Sequence, residues 1–205
     1  TGVLPSAATG MTAALRAAAG ADGELCVSLS GGVDSMVLCA LGVHAGLAVQ
    51  AVHIVYGNRD VAEQEAAFLT EYCARLGVRL WIYRVPWLRR ATADRAFYES
   101  MTRTLRFACY KAVGASAVCL GHIQEDVVEN VWTNFAHGAH LDNLAKMSTR
   151  TVEDGVTVLR PWLDVSKADV YAVAAALHIP FLLNTTPSWS NRGKFRTYFY
   201  NATHA

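Results

Sequence analysis

The chain lacks closely spaced cysteines. Its five, Cys26, Cys39, Cys73, Cys109 and Cys119, are odd in number, and no two stand two to four residues apart. That spacing argues against a zinc knuckle and a disulfide framework. Four of them fall in apolar strand or helix patterns, where a reduced thiol behaves as a small hydrophobe. A reducing compartment, the cytoplasm above all, is the expectation. Uninterrupted apolar runs of membrane length are missing too. Residues 36–56 come nearest, but His44, Gln50, His53 and the glycines at 42 and 46 break them into a helix and a strand, so no membrane association is expected. No secretory leader is expected from the opening residues. Charge is sparse and balanced, at 17% charged residues and a net +1, which by itself speaks neither for nor against nucleic acid. A Walker Gly-Lys-Ser/Thr loop, a G-x-G-x-x-G turn, internal repeats and low-complexity tracts are all absent.

What is present is a globular composition, 53% hydrophobic over 205 residues, enough for one domain with a sizeable core. Apolar runs and breakers predict an alternation of helices and strands. Helices are expected at Thr9–Ala19 (capped by Thr9 or Thr12), Ser35–His44, Asp60–Leu76, from about Tyr98 to Val113, at Ile123–His137 and at Ser166–Leu177. Strands are expected at Leu25–Leu29, Ala48–Val55, Val78–Val85, Ser116–Leu120 and Val156–Leu159. Pro86–Tyr98 reads as a loop or lid, Gly138–Thr151 as irregular, and the chain from Pro180 onward as loop-like. The order predicts an α/β fold, a three-layer parallel sheet with helices on both faces.

Ser28-Leu29-Ser30-Gly31-Gly32-Val33-Asp34-Ser35 joins the first of these strands to a helix. The first N–H groups of a helix have no partners within it, and the helix dipole concentrates positive charge at the same place. Gly31 and Gly32 allow the backbone to approach a ligand closely, and the hydroxyls of Ser30 and Ser35 add polar groups. Such a turn is a cradle for phosphate or pyrophosphate. Asp34 is the unexpected member, because an acid there repels phosphate unless it holds Mg²⁺, a nearby base or a ribose hydroxyl.

Ligands of a parallel sheet bind beyond the carboxyl ends of its strands. His53, Tyr56, Gly57, Asn58 and Arg59 lie at or after the second strand. Gly121, His122, Gln124, Glu125 and Asp126 follow the fourth, and Arg160 and Pro161 follow the last. His122 beside the carboxylates of Glu125, Asp126 and Glu129 suits general acid–base work. Between Arg84 and Lys111 seven basic residues face only two acids, Asp94 and Glu99, with Trp87, Phe97, Tyr98, Phe107 and Tyr110 interleaved. Phosphate contact plus stacking on bases is what that mixture offers. A second basic and aromatic group, Trp189, Arg192, Lys194 and Arg196, lies near the end of the chain.

The Ser30–Ser35 segment resembles the PP-loop of N-type ATP pyrophosphatases, and the wider pattern is similar to the catalytic domain of the tRNA(Ile)-lysidine synthetase family. The similarity rests on Ser30–Ser35, His53–Arg59, Arg103-Thr104-Leu105-Arg106-Phe107, His122 with Glu125, Asp126, Glu129 and Asn130, Leu144–Met147, Arg160–Leu163 with Lys167, and Arg192 and Arg196. Tyr56 stands where that family has His, Glu125 where it has Asp, and Asn130 where it has Thr. The segment Asn184-Thr185-Thr186-Pro187 is also altered.

The resemblance implies an adenine nucleotide alpha hydrolase-like fold and a ligase forming a C–N bond. ATP would adenylate the C2 oxygen of an anticodon cytidine, with Mg²⁺, and lysine would then displace AMP. It implies ATP contacts at Ser30, Gly31, Gly32, Val33, Asp34, Ser35 and His53. It implies catalysis by Asp34, His122, Glu125 and Asp126, with His122 or Asp126 as base. It implies tRNA or phosphate contacts at Arg103, Arg106, Arg160, Arg192 and Arg196. The whole of 1–205 is expected to be one PP-loop domain without a separate C-terminal tRNA-binding domain. A tRNA-thiolating relative and a non-catalytic adenine-nucleotide-binding module are the competing readings, and scattered cysteines argue against the first.

Overall fold

The computed structural model describes residues 5–20, 22–58, 61–136, 138, 140 and 147–183. Among them, six strands form one sheet: β1 (Glu24–Ser28), β2 (Ala48–Tyr56), β3 (Arg79–Val85), β4 (Ala117–Cys119), β5 (Arg150–Glu153) and β6 (Val156–Leu159). Their order is β3-β2-β1-β4-β6-β5. Every neighbouring pair is parallel except β5 with β6. Six helices accompany them: α1 (Ser6–Ala18), α2 (Val33–His44), α3 (Ala62–Leu76), α4 (Arg95–Ala112), α5 (Gln124–Ala136) and α6 (Lys167–Ala176).

The sheet is buried on both faces, which is why β1 can read as an unbroken apolar run. Side chains alternate across a strand. Leu25 and Val27 of β1 join Met11 and Leu15 of α1, Met36 and Leu41 of α2, Leu69 of α3 and Val173 of α6 in one core cluster. Cys26 points to the other, with Val52, Val118, Val158 and Phe107 and Tyr110 of α4. Trp162, fully buried, donates its indole N–H to the carbonyl of Met11 at 3.2 Å and so ties the segment after β6 to α1.

The chain runs outward from β1 through β2 to β3, then α4 returns it to β4 on the other side of β1. The loops after β1 and β4 therefore flank the point where the direction of winding reverses, the place where such sheets take ligands.

Three local expectations are corrected. The first helix begins at Ser6 behind Pro5 with no side-chain cap, so Thr9 and Thr12 lie inside it; proline's fixed φ suits the entry to a helix. The loop after β3 is shorter than expected. Asp94 caps α4 by accepting from the N–H groups of Ala96 and Phe97 at 2.9 and 3.2 Å. Arg150–Glu153, expected to be irregular up to Thr151, is strand β5, a hairpin partner of β6 through Asp154-Gly155, both at positive φ (49° and 76°). Among the described residues no helix is long and apolar enough to cross a membrane.

Candidate active site

The loop between β1 and α2 is braced from within and from both faces of the sheet. The Ser35 hydroxyl donates to the carbonyl of Gly32 at 3.0 Å and accepts from the N–H of Ser30 at 3.2 Å; the two serine hydroxyls are 3.1 Å apart. Ser35 is thus buried within the turn and holds its shape, while Ser30 is exposed. Gly31 sits at φ 87°, a conformation that favours glycine; its carbonyl accepts from the N–H of Leu182 at 2.9 Å. No side chain caps α2. Its first N–H groups face the turn, as a phosphate cradle requires.

Two buried side chains anchor the end of β1. His53 on β2, 7% exposed, donates Nδ1–H to the carbonyl of Leu29 at 2.8 Å. It props the loop from below. Tyr110 of α4 donates its hydroxyl to Ser28 Oγ at 2.7 Å from the opposite face; burial pushes its phenol up to about 12.

Asp34, in the first turn of α2, finds its cation in Lys167 at the start of α6. The ammonium lies 2.7 and 2.8 Å from the two carboxylate oxygens. The backbone N–H of Lys167 donates to Glu125 Oε1 at 2.9 Å. One residue therefore joins the loop after β1 to the helix after β4. The other oxygen of Glu125, Oε2, is buried and has no hydrogen-bond partner among the described residues. Gly121 closes the gap between these loops: a Cβ there would lie 3.0 Å from the carbonyl carbon of Asp34 and 3.1 Å from the N of Ser35. Asp126, 4% exposed, accepts from the N–H of Ile123 through Oδ2 at 2.9 Å and fixes the start of α5.

A second cluster lies beside the first. Arg160, 8% exposed, donates Nε–H to Nδ1 of His122 at 3.3 Å, and its terminal nitrogens donate to the carbonyl of Ser148 (3.2 Å), Thr151 Oγ1 (2.9 Å) and Glu153 Oε1 (3.0 Å). Arg103 of α4 takes the other oxygen of Glu153 and lies over the Phe107 ring at 5.2 Å. Burial alone would raise the Glu153 carboxyl, but the hydrogen bonds from Arg160, Thr151 and Arg103 outweigh it and hold it below the usual range.

The basic run is less basic than it reads. Arg84 makes a bidentate pair with Glu63, Arg95 pairs with Glu99, and Arg103 with Glu153. Arg106 is exposed and its charge bears on the Tyr56 hydroxyl, which donates to the carbonyl of Thr102 at 3.4 Å; among the described residues Arg106 has no ion-pair partner. Arg59, Arg192 and Arg196 lie outside the described residues, as do Trp189 and Lys194. Within the described part, the structure brings Ser30–Ser35, Asp34, Glu125, Asp126 and His122 to one sheet edge. It also sets His53 and Arg160 in hydrogen bonds that brace these loops. Lys167 as the partner of Asp34, and Glu153 as the hub between Arg103 and Arg160, were not foreseen; both contacts cross long stretches of sequence without a local signal.

A model of the PP-loop domain family matches residues 8–194. This chain belongs to the PP-loop domain family. The loop just described lies within the matched residues. Among curated proteins, the tRNA(Ile)-lysidine synthase of Chlamydia pneumoniae is 34% identical over 160 residues, which are 76% of this chain and 49% of that protein. The tRNA(Ile)-lysidine synthase of Bordetella pertussis (strain Tohama I) is 33% identical over 177 residues, 82% of this chain and 53% of that protein. The chain spans about half the length of these relatives. Among solved structures, the U34-tRNA thiolase NcsA from Methanococcus maripaludis, solved with its [4Fe-4S] cluster, superposes with a TM-score of 0.73 at 16% identity, covering 96% of this chain and 73% of that one. Phosphoadenylyl-sulfate reductase from Candida auris gives 0.59 at 14% identity, covering 83% and 81%. At such identities the likeness is one of fold, and it agrees with an adenine nucleotide alpha hydrolase-like PP-loop domain.

Proposed function

We propose that this PP-loop domain catalyses ATP-dependent modification of tRNA, adenylating the C2 oxygen of an anticodon cytidine and joining lysine to it. The observation that carries the reading is the Asp34–Lys167–Glu125 linkage at the uncapped start of α2, in a chain about one-third identical to proteins named tRNA(Ile)-lysidine synthase.

The steps follow from the groups at hand. The triphosphate of ATP lies along the N–H groups of Gly31, Gly32 and Val33 and the exposed hydroxyl of Ser30, where preorganised donors meet the charge that grows on pyrophosphate. The cytidine C2 oxygen attacks the α-phosphorus; the new O–P bond forms as the bond to pyrophosphate breaks. The amine of lysine then attacks C2, the C–N bond forms, AMP leaves, and the amine gives up a proton. Glu125 Oε2 and Asp126 supply carboxylate oxygens for that ammonium and its proton.

Mg²⁺ keeps several waters and is often held by one or two carboxylates together with substrate phosphates. Among the described residues no three His, Cys, Asp or Glu gather as a dedicated metal cage. Asp34 alone at the phosphate turn fits that mode, with Lys167 free to exchange its carboxylate partner for a phosphate. When bound there, Mg²⁺ neutralises phosphate charge. Arg106 is the arginine most available to RNA phosphates, with Arg103 beside it; Arg192 and Arg196 are proposed for the same surface.

The test is mass spectrometry of tRNA nucleosides after incubation with the protein, ATP and lysine. A cytidine gaining the mass of lysine less water supports the reading. A thiolated base instead, or turnover without RNA, overturns it.

A further inference from the structure

We propose that His122 works as a neutral hydrogen-bond donor to a substrate oxygen, held in that form by Arg160, and not as the base. The role at substrate rests on the reading above; the form of the ring does not.

A guanidinium offers only N–H donors and stays charged, so the nitrogen that faces it must carry a lone pair. Arg160 Nε–H lies 3.3 Å from Nδ1 of His122. Nδ1 is therefore the acceptor, and the ring's hydrogen is on Nε2. Arg160 cannot readily turn away, because Ser148, Thr151 and Glu153 hold its other nitrogens and it is 8% exposed. Protonating the ring would set Nδ1–H against Nε–H and a cation against a cation. Among the described residues, most of the other charged groups on neighbouring elements have partners of their own. Glu153 of β5 answers Arg160 and Arg103 of α4. Asp126 on α5 accepts from Ile123, Glu125 from Lys167, and Lys167 of α6 is bonded to Asp34 of α2. Glu129, also on α5, is buried.

An imidazole so fixed has a hydrogen at the nitrogen that would have to receive a proton. It can polarise an oxygen that gains negative charge, but it cannot act as base through Nε2. Its place after β4, next to Gly121 and so to the backbone of Asp34, suits an oxygen of the adenylate phosphate.

The experiment is ¹⁵N NMR of the full chain labelled at histidine, with the His122 signals assigned by their loss in H122Q. The expected result is an unprotonated Nδ1 and a protonated Nε2 from pH 8 down to 5.5. In R160M the ring should instead become imidazolium as pH falls through the ordinary histidine range of about 6.5. An imidazolium at pH 5.5 in the unaltered protein, or hydrogen on Nδ1, overturns the proposal; this measurement stands even if R160M does not fold. In pyrophosphate release with tRNA, H122Q, whose amide can donate from near Nε2, should lose about tenfold and H122F about 100-fold, within the range of one lost oxyanion donor. Equal losses in both overturn the donor role. If the unaltered protein releases no pyrophosphate, the function proposed above fails while the NMR result still decides the tautomer.

Discussion

Lys167 and Asp34 stand 133 residues apart in the chain, yet the ammonium sits 2.7 and 2.8 Å from both oxygens of the carboxylate. This resolves the presence of an acid in an anion cradle: α6 delivers a cation to the turn that β1 and α2 build. Both side chains keep partial solvent access, 28% and 20%, so the pair can exchange partners when phosphate arrives. Lys167→Met should raise the ATP concentration for half-maximal pyrophosphate release by roughly 10- to 100-fold, as loss of a charge-assisted hydrogen bond predicts. Thermal unfolding should move little. An unchanged ATP requirement would remove Lys167 from the site.

Asp34→Ala should leave the fold intact, since among the described residues the carboxylate hydrogen-bonds only to Lys167. Pyrophosphate release should fall by about 100-fold or more, the scale of a lost electrostatic group in a preorganised site. Circular dichroism and the release assay check the two halves. A full rate would exclude Asp34 from the mechanism.

Gly121→Ala would drive a methyl group to 3.0 Å from backbone atoms of Asp34 and 3.1 Å from Ser35. Backbone on both sides leaves no flexible side chain to yield. The cost should be about 1–3 kcal/mol, as for other overpacked sites, with weakened ATP binding because the PP-loop itself must shift. Denaturant titration and calorimetry with ATP measure both. Wild-type affinity would show that the two loops are not in contact.

Glu153 links stability to pH. Its carboxyl is held below the ordinary value in the folded protein. The stabilisation is therefore complete above the unfolded glutamate range of about 4.3 and is lost as pH falls through the lower folded value. Unfolding midpoints of the unaltered protein and Glu153→Gln should differ at pH 7, and the gap should narrow as pH falls below the ordinary glutamate range. A constant gap would mean that the network with Arg160 and Arg103 does not titrate as a unit.

Among the described residues Trp162 is the largest side chain with no exposure at all, and it closes the core between α1 and α6. Trp162→Ala should cost about 3–5 kcal/mol, read from chemical denaturation. A loss below 1 kcal/mol would contradict its place in the core.

Local signals carried far. The Ser30–Ser35 turn, the Ser166 cap, whose hydroxyl accepts from the N–H of Asp169, and Gly77 in the left-handed conformation after α3 were all legible, because each is decided by a few adjacent residues. The β5–β6 hairpin was legible in principle from Asp154-Gly155 between two short runs, but β5 has Arg150 and Glu153 at its ends and too few apolar residues to announce itself. Charge was the least legible. The excess of arginine between 84 and 111 is partly cancelled by Glu63 and Glu153, acids from distant strands and helices that no local window contains. The resemblance puts Arg160 at phosphate; that β5 folds back and engages its guanidinium had no local signal.

The central claim is that this turn holds the phosphates of ATP beside Asp34 and Lys167. A crystal structure with a non-hydrolysable ATP analogue tests it most directly. The account predicts phosphate oxygens on the N–H groups of Gly31, Gly32 and Val33, with the Lys167 ammonium turned from Asp34 toward them. Nucleotide bound elsewhere, with the turn empty and the Asp34–Lys167 pair undisturbed, would contradict it.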